Sequence, residues 1–93
     1  MGDAVAVRVV VTGRVQGVGF RWSLAQIAEQ QGARGWVRNR PDGSVEALIQ
    51  GTRACVNEMI AWMRHGPPGA FVADAQVEML TSAEQFEGFE IRS

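Results

Sequence analysis

In 93 residues the sequence has one cysteine, Cys55, and one histidine, His65. A lone thiol excludes an internal disulfide, and one residue of each kind leaves no Cys/His cluster for zinc. Such a chain suits a reducing compartment. Lysine is absent and all nine basic residues are arginine, which we read as compositional and give no functional weight. There is no apolar run near the ~20 residues that a membrane-spanning helix needs. The opening stretch MGDAVAVRVVVTG carries Asp3 before its apolar run and Arg8 inside it, so it lacks the basic start of a secretory leader. Ala6 also stands where a myristoylation motif has Ser or Thr. A cytoplasmic protein is expected. The net charge of −1 argues against a general nucleic-acid binder.

What is present is ordinary globular composition, 46% hydrophobic and 20% charged, and the length predicts one domain over residues 1–93. The charge is uneven. Residues 1–43 hold six arginines against three acids, and residues 44–93 three arginines against seven acids. The N-terminal half is therefore suited to a small anion, while the whole molecule repels a long polyanion.

AVAVRVVVT alternates, with Val5, Val7, Val9 and Val11 on one face, and reads as a strand. From Phe20 the apolar spacing becomes helical through Leu24, Ile27 and Ala28, and Gly32 closes the run. ARGWVRNR, PDG and SVEALIQG read as a hairpin with Pro-Asp-Gly turn chemistry. TRACVNEMIAWMRHG reads as a second helix with Thr52 as its N-cap and Cys55, Val56, Met59, Ile60 and Met63 along one stripe. AFVADAQVEML is a fourth strand and FEGFEIRS a short final one. This order, β-α-β-β-α-β with a small extra strand, predicts an α+β ferredoxin-like sandwich: an antiparallel sheet with two helices on one face.

Between the first strand and the first helix lies VTGRVQGVGFRWS, residues 11–23. A loop leaving a strand for a helix aims free backbone N–H groups and the positive helix end at one point, which suits phosphate or carboxylate. Gly13, Gly17 and Gly19 are expected to let consecutive N–H groups converge there. Arg21 adds a planar fork matching two phosphate oxygens. No Gly-Lys-Ser/Thr follows and the glycine spacing is not that of a dinucleotide fingerprint, so no nucleotide is implied. The same residues also fit a tight strand-to-helix connection with Arg21 on an exposed surface.

The run Val11-Thr12-Gly13-Arg14-Val15-Gln16-Gly17-Val18-Gly19-Phe20-Arg21 resembles the first signature of the acylphosphatase family, and Gly35-Trp36-Val37-Arg38-Asn39 with Gly43, Val45 and Gly51 resembles the second. GPPGA and GFEIR are also family-like, so the resemblance covers nearly the whole chain. Departures are Gln31 and Ala33 where members often carry Leu, and Ser93 where many end in an aromatic. The resemblance implies a ferredoxin-like fold and hydrolysis of acyl phosphates to carboxylate and inorganic phosphate. It implies that Arg21 and the backbone of Arg14, Val15, Gln16, Gly17, Val18, Gly19 and Phe20 hold the phosphate, and that Asn39 positions the attacking water. It further implies a small acyl phosphate as substrate, inorganic phosphate as product inhibitor, and no cofactor, metal, nucleic acid or membrane; a monomer is expected.

The remaining candidates have plainer readings. His65 follows the second helix, where a cation favours the C-terminal dipole, and is not expected to be a base. Cys55 is read as a small buried hydrophobe, and Trp22, Trp36 and Trp62 as packing residues rather than stacking platforms. Arg38 and Arg40 alternate along a short strand, where one steers substrate or both are simply solvated. Two readings from other classes stand beside hydrolysis: a non-catalytic anion-binding or regulatory domain of the same fold, and a single-strand RNA binder. The second is disfavoured because GVGF falls in the loop rather than on a strand and the net charge is wrong.

Overall fold

The first strand, β1 (Ala4–Arg14), alternates as expected, burying Val7, Val9 and Val11 on one side, and pairs with a neighbouring strand along each edge. A computed structural model describes residues 4–81 and 84–93; Asp3, used above against a leader, lies outside them. Helix α1 (Phe20–Gln31) buries Phe20, Leu24 and Ala28 and is closed by Gly32 and Ala33, whose N–H groups donate back to the carbonyls of Glu29 and Ala28. Strands β2 (Arg34–Asn39) and β3 (Val45–Thr52) form the expected hairpin. Helix α2 (Arg53–Met63) starts at Thr52, whose hydroxyl accepts from the Cys55 N–H at 3.1 Å. β4 (Phe71–Leu80) and β5 (Phe89–Arg92) follow.

The sheet order is β4-β1-β3-β2-β5. Both helices cover one face, α1 over β2 and β5 and α2 over β1 and β3. The core between them joins Val7, Val9, Val37, Ala47 and Ile49 of the sheet to Leu24, Ala28, Val56 and Met59 of the helices. The first four strands pair antiparallel, as expected, but β5 joins β2 in parallel. The reason is directional: the chain reverses after β4, so β5 runs against β4 and hence along β2, the edge it reaches.

The other sheet face carries charge rather than core. Glu46, 4% exposed, lies between Arg38, its direct cross-strand partner on β2, and Arg8 of β1. Arg8 also meets Glu78 of β4 at 2.9 Å. These cross-strand pairs hold a buried carboxylate against two guanidinium groups.

Candidate active site

Residues 15–19 turn the chain from β1 into α1. Val15 and Phe20 are buried and Val18 is packed against the core from a half-buried position. Phe20 meets Trp62 of α2 edge-on, with ring centroids 5.1 Å apart. The loop is thus fixed from beneath at both ends. Gly17 and Gly19, between the anchors, are exposed with φ of 75° and 79°. A Cβ at either would meet open space, so the backbone conformation, not crowding, calls for glycine there. Gln16 ties the loop sideways: its Nε2 donates to the carbonyls of Arg40 at 2.8 Å and Ser44 at 2.9 Å, in the β2–β3 turn.

Gly13 does a different job from the one its sequence position suggests. It lies within β1 where the pairing with β4 shifts register, and a side chain there would collide with the carbonyl of Phe71. The bulge, rather than the loop, requires this glycine.

Gly19 is also the N-cap of α1, with no side chain closing the helix and no acid in its first turn. The first N–H groups of the helix therefore retain their donors and their positive potential. Arg21 sits in that first turn, half-buried, with Nη1 3.5 Å from the carbonyl of Arg92 at the end of β5. So long a contact leaves most of the guanidinium fork for a ligand.

Asn39 ends β2. Side chains alternate along a strand, so Asn39 shares the helix-covered face with buried Val37 while Arg38 takes the opposite face. Asn39 consequently meets Arg21, 18 positions earlier, in one cleft of about 160 Å³. Val15, Gly17, Gly19 and Phe20 line it from the loop side, Arg21 and Trp22 from α1, Asn39 from β2 and Ile91 from β5. Larger clefts of about 200, 240 and 500 Å³ lie elsewhere, but none of them joins this loop to Arg21.

Three residues expected to hold phosphate through their backbone do not line the cleft: Arg14 ends β1 opposite Phe71, Gln16 is the anchor to the hairpin, and Val18 packs downward. Arg38 is committed away from it, with Nε and Nη2 both 2.8 Å from Glu46 Oε1. Arg40 lies 3.9 Å from Asp42 in the turn. His65 sits beyond α2 with Nδ1 3.1 Å from the Ala61 carbonyl, outside the cleft. Cys55 is buried, and burial followed by the neighbouring Glu58 charge pushes its thiol pKa up, which keeps it unreactive.

The tryptophans divide. Trp62 packs against Phe20, and Trp36 lies beneath the guanidinium groups of Arg38 and Arg92. Trp22, read from the sequence as a packing residue, is instead exposed at the cleft. The signal was present: the buried stripe Phe20, Leu24, Ala28 puts position 22 about 200° round the helix. Ile91 was placed on a strand but not at the site, because the strand's neighbour is a tertiary fact.

Among the described residues no group of three or more His, Cys, Asp and Glu side chains is placed to hold a metal ion, and no helix is long and apolar enough to cross a membrane. The acylphosphatase family model matches residues 7–91. An acylphosphatase of Trichormus variabilis is 52% identical over 88 residues, 95% of this chain and 86% of that one. That of Anaeromyxobacter dehalogenans is 49% identical over 92 residues, 99% of each chain. The crystal structure of acylphosphatase from Bacillus subtilis is similar with a TM-score of 0.92 at 36% identity, covering 96% of this chain and 99% of that one. With two matched signatures, the loop and the cleft in one fold, this chain belongs to the acylphosphatase family.

Proposed function

We propose that this cleft hydrolyses the carboxyl–phosphate bond of small acyl phosphates, releasing a carboxylate and inorganic phosphate. The family relatives make the chain a hydrolase of the acylphosphatase type. The observation that carries the assignment to this cleft is the meeting of an uncapped helix start, the Arg21 fork and the Asn39 amide in one small volume.

The phosphoryl group binds at the loop and α1 N-terminus, with backbone N–H groups of Val15, Gly17, Gly19 and Phe20 and the Arg21 guanidinium taking its non-bridging oxygens. Asn39 Oδ1 accepts from a water and aims it at phosphorus. The water oxygen bonds to phosphorus as the bridging P–O bond breaks, and the bond's electron pair leaves on the carboxylate. A carboxylate with a conjugate-acid pKa near 4 departs without a proton, so no general acid is needed. The water's protons pass to the phosphate oxygens. Phosphoryl transfer through a loose transition state depends mainly on positioning and charge stabilisation, and the loop with Arg21 supplies both. The single buried Cys55 suits a reducing cytoplasm.

The test is turnover of benzoyl and acetyl phosphate by the purified protein after exhaustive EDTA treatment. Activity is expected to survive EDTA, and inorganic phosphate is expected to inhibit competitively. Phosphate binding without turnover would replace hydrolysis with an anion-binding role, and activity lost to EDTA and restored by Mg²⁺ or Zn²⁺ would overturn the metal-independent step.

A further inference from the structure

Five large hydrophobic side chains stand exposed among the described residues. Phe71, Val77 and Met79 lie on β4, at one edge of the sheet. The other two, Trp22 at 64% exposure and Ile91 at 44%, both line the small cleft that holds Arg21 and Asn39. They come from different elements, α1 and β5, on the opposite side of the sheet from β4.

We infer that Trp22 and Ile91 form an apolar shelf for the acyl group and are the residues that set how this enzyme ranks acyl phosphates by their acyl part. The inference rests on the hydrolase reading above and adds to it the side chains that set acyl specificity. An acyl phosphate is charged at one end and apolar or polar at the other according to its acyl group. Once the phosphoryl oxygens occupy the loop and Arg21 and the water occupies Asn39, the side chains left in the lining are Val15, Phe20, Trp22 and Ile91, all apolar. An acyl hydroxyl, carboxylate or second phosphate brought here loses water and finds no side-chain partner in the lining. A phenyl ring finds the indole face, in an offset or edge-on stack. Trp22 directly follows Arg21 in the first turn of α1, so the shelf stands at a fixed distance from the phosphate clamp. That rigidity lets the enzyme measure the acyl group from the phosphoryl end.

The experiment compares benzoyl with acetyl phosphate in the wild type and in Trp22→Ala, Trp22→Phe and Ile91→Ser, with the inhibition constant of inorganic phosphate measured alongside. Wild type is expected to prefer benzoyl phosphate by about 10-fold or more in kcat/KM. Trp22→Ala should reduce that ratio by about 10-fold, through a higher KM for benzoyl phosphate, while the phosphate constant stays within about 2-fold. Ile91→Ser should reduce the ratio by a smaller factor, and Trp22→Phe should keep most of it. Equal losses on both substrates in Trp22→Ala, or an unchanged ratio, would overturn the shelf while leaving the hydrolase reading in place. Wild type that turns over neither substrate would overturn the hydrolase reading, and the shelf with it.

Discussion

Gln16→Met tests whether the loop is positioned by the hairpin that carries Asn39. Methionine nearly preserves the volume of glutamine and removes both donated hydrogen bonds, to Arg40 O and Ser44 O. Neither carbonyl is orphaned, because Arg40 O still accepts from the Gly43 N–H and Ser44 O from the Arg40 N–H. The loss is therefore close to the ordinary net value of about 1 kcal/mol per bond, about 2 kcal/mol in all. For a domain of this size that lowers Tm by roughly 10 °C. The catalytic consequence is separable from the thermodynamic one. With the tie gone, the loop and the Asn39 end of β2 keep their own folds but lose their mutual registry, and a displacement near 1 Å at a reacting centre costs about 10²-fold in kcat. Thermal melts followed by circular dichroism give the first quantity, and kcat on an acyl phosphate well below Tm gives the second. Phosphate affinity should change much less than kcat, since the loop and Arg21 still hold the anion. A variant that melts like the wild type and turns over normally would refute the anchoring argument. A variant that loses phosphate affinity as much as kcat would show that the loop itself has collapsed.

Arg21→Gln is expected to fold normally and lose about 10²-fold in turnover, the size of removing one transition-state donor; Arg21→Lys should restore little, because a point charge does not reproduce the fork, and steady-state kinetics on both variants decide it. Asn39→Ala should lower kcat by about 10²-fold and leave the phosphate inhibition constant within a few-fold; equal loss of both would make Asn39 a binding element. The Ser44 hydroxyl first, then the Ser44 N–H, hold the Asp42 carboxyl below its usual range. A lowered folded-state pKa means that this contribution to stability is fully present above the unfolded value of about 3.9 and is lost as pH falls through the folded one. Asp42→Asn should therefore flatten the acid limb of Tm against pH below about pH 4, and an acid limb identical to wild type would show that the turn contributes nothing to it.

The elements were legible because each announces itself locally. Thr52 and Gly32 mark the helix ends, Pro41-Asp42-Gly43 marks the hairpin, and valines at alternate positions mark β1. The parallel pairing of β5 with β2 was not legible, since FEIR carries no signal for its neighbour. The site divides in the same way. The loop and Arg21 are readable from the strand-to-helix junction alone, where an anion site and a plain tight connection fit the same residues. Asn39 enters only through the family resemblance, because an asparagine before Pro-Asp-Gly is unremarkable turn chemistry. Gly13 was misplaced for an instructive reason: a glycine near a loop looks like part of the loop, whereas its need is a carbonyl on β4, 58 positions further on at Phe71. Trp22 was misread because tryptophan composition suggests packing more strongly than one helical phase angle suggests exposure.

The two halves of the site meet only if β2 keeps its register. A strand that slips by one residue moves every side chain to the other face, so a slip would turn Asn39 out to the charged face and bring Arg38 or Arg40 toward the cleft. Three features oppose that slip. Val37 must stay in the core between the sheet and the helices. The turn fixes the pairing of Asn39 with Val45 through the Arg40 N–H to Ser44 O and Gly43 N–H to Arg40 O bonds. On the far face, Arg38 is held opposite Glu46, a carboxylate buried so deeply that losing its arginines would leave an uncompensated charge. Gln16 then reads this register from the loop, and it reads it through backbone carbonyls rather than side chains. The distance from Arg21 to Asn39 thus depends on backbone geometry at both ends. The salt bridges on the sheet's opposite face accordingly bear on the cleft without lining it, because they help decide which residue of β2 faces it.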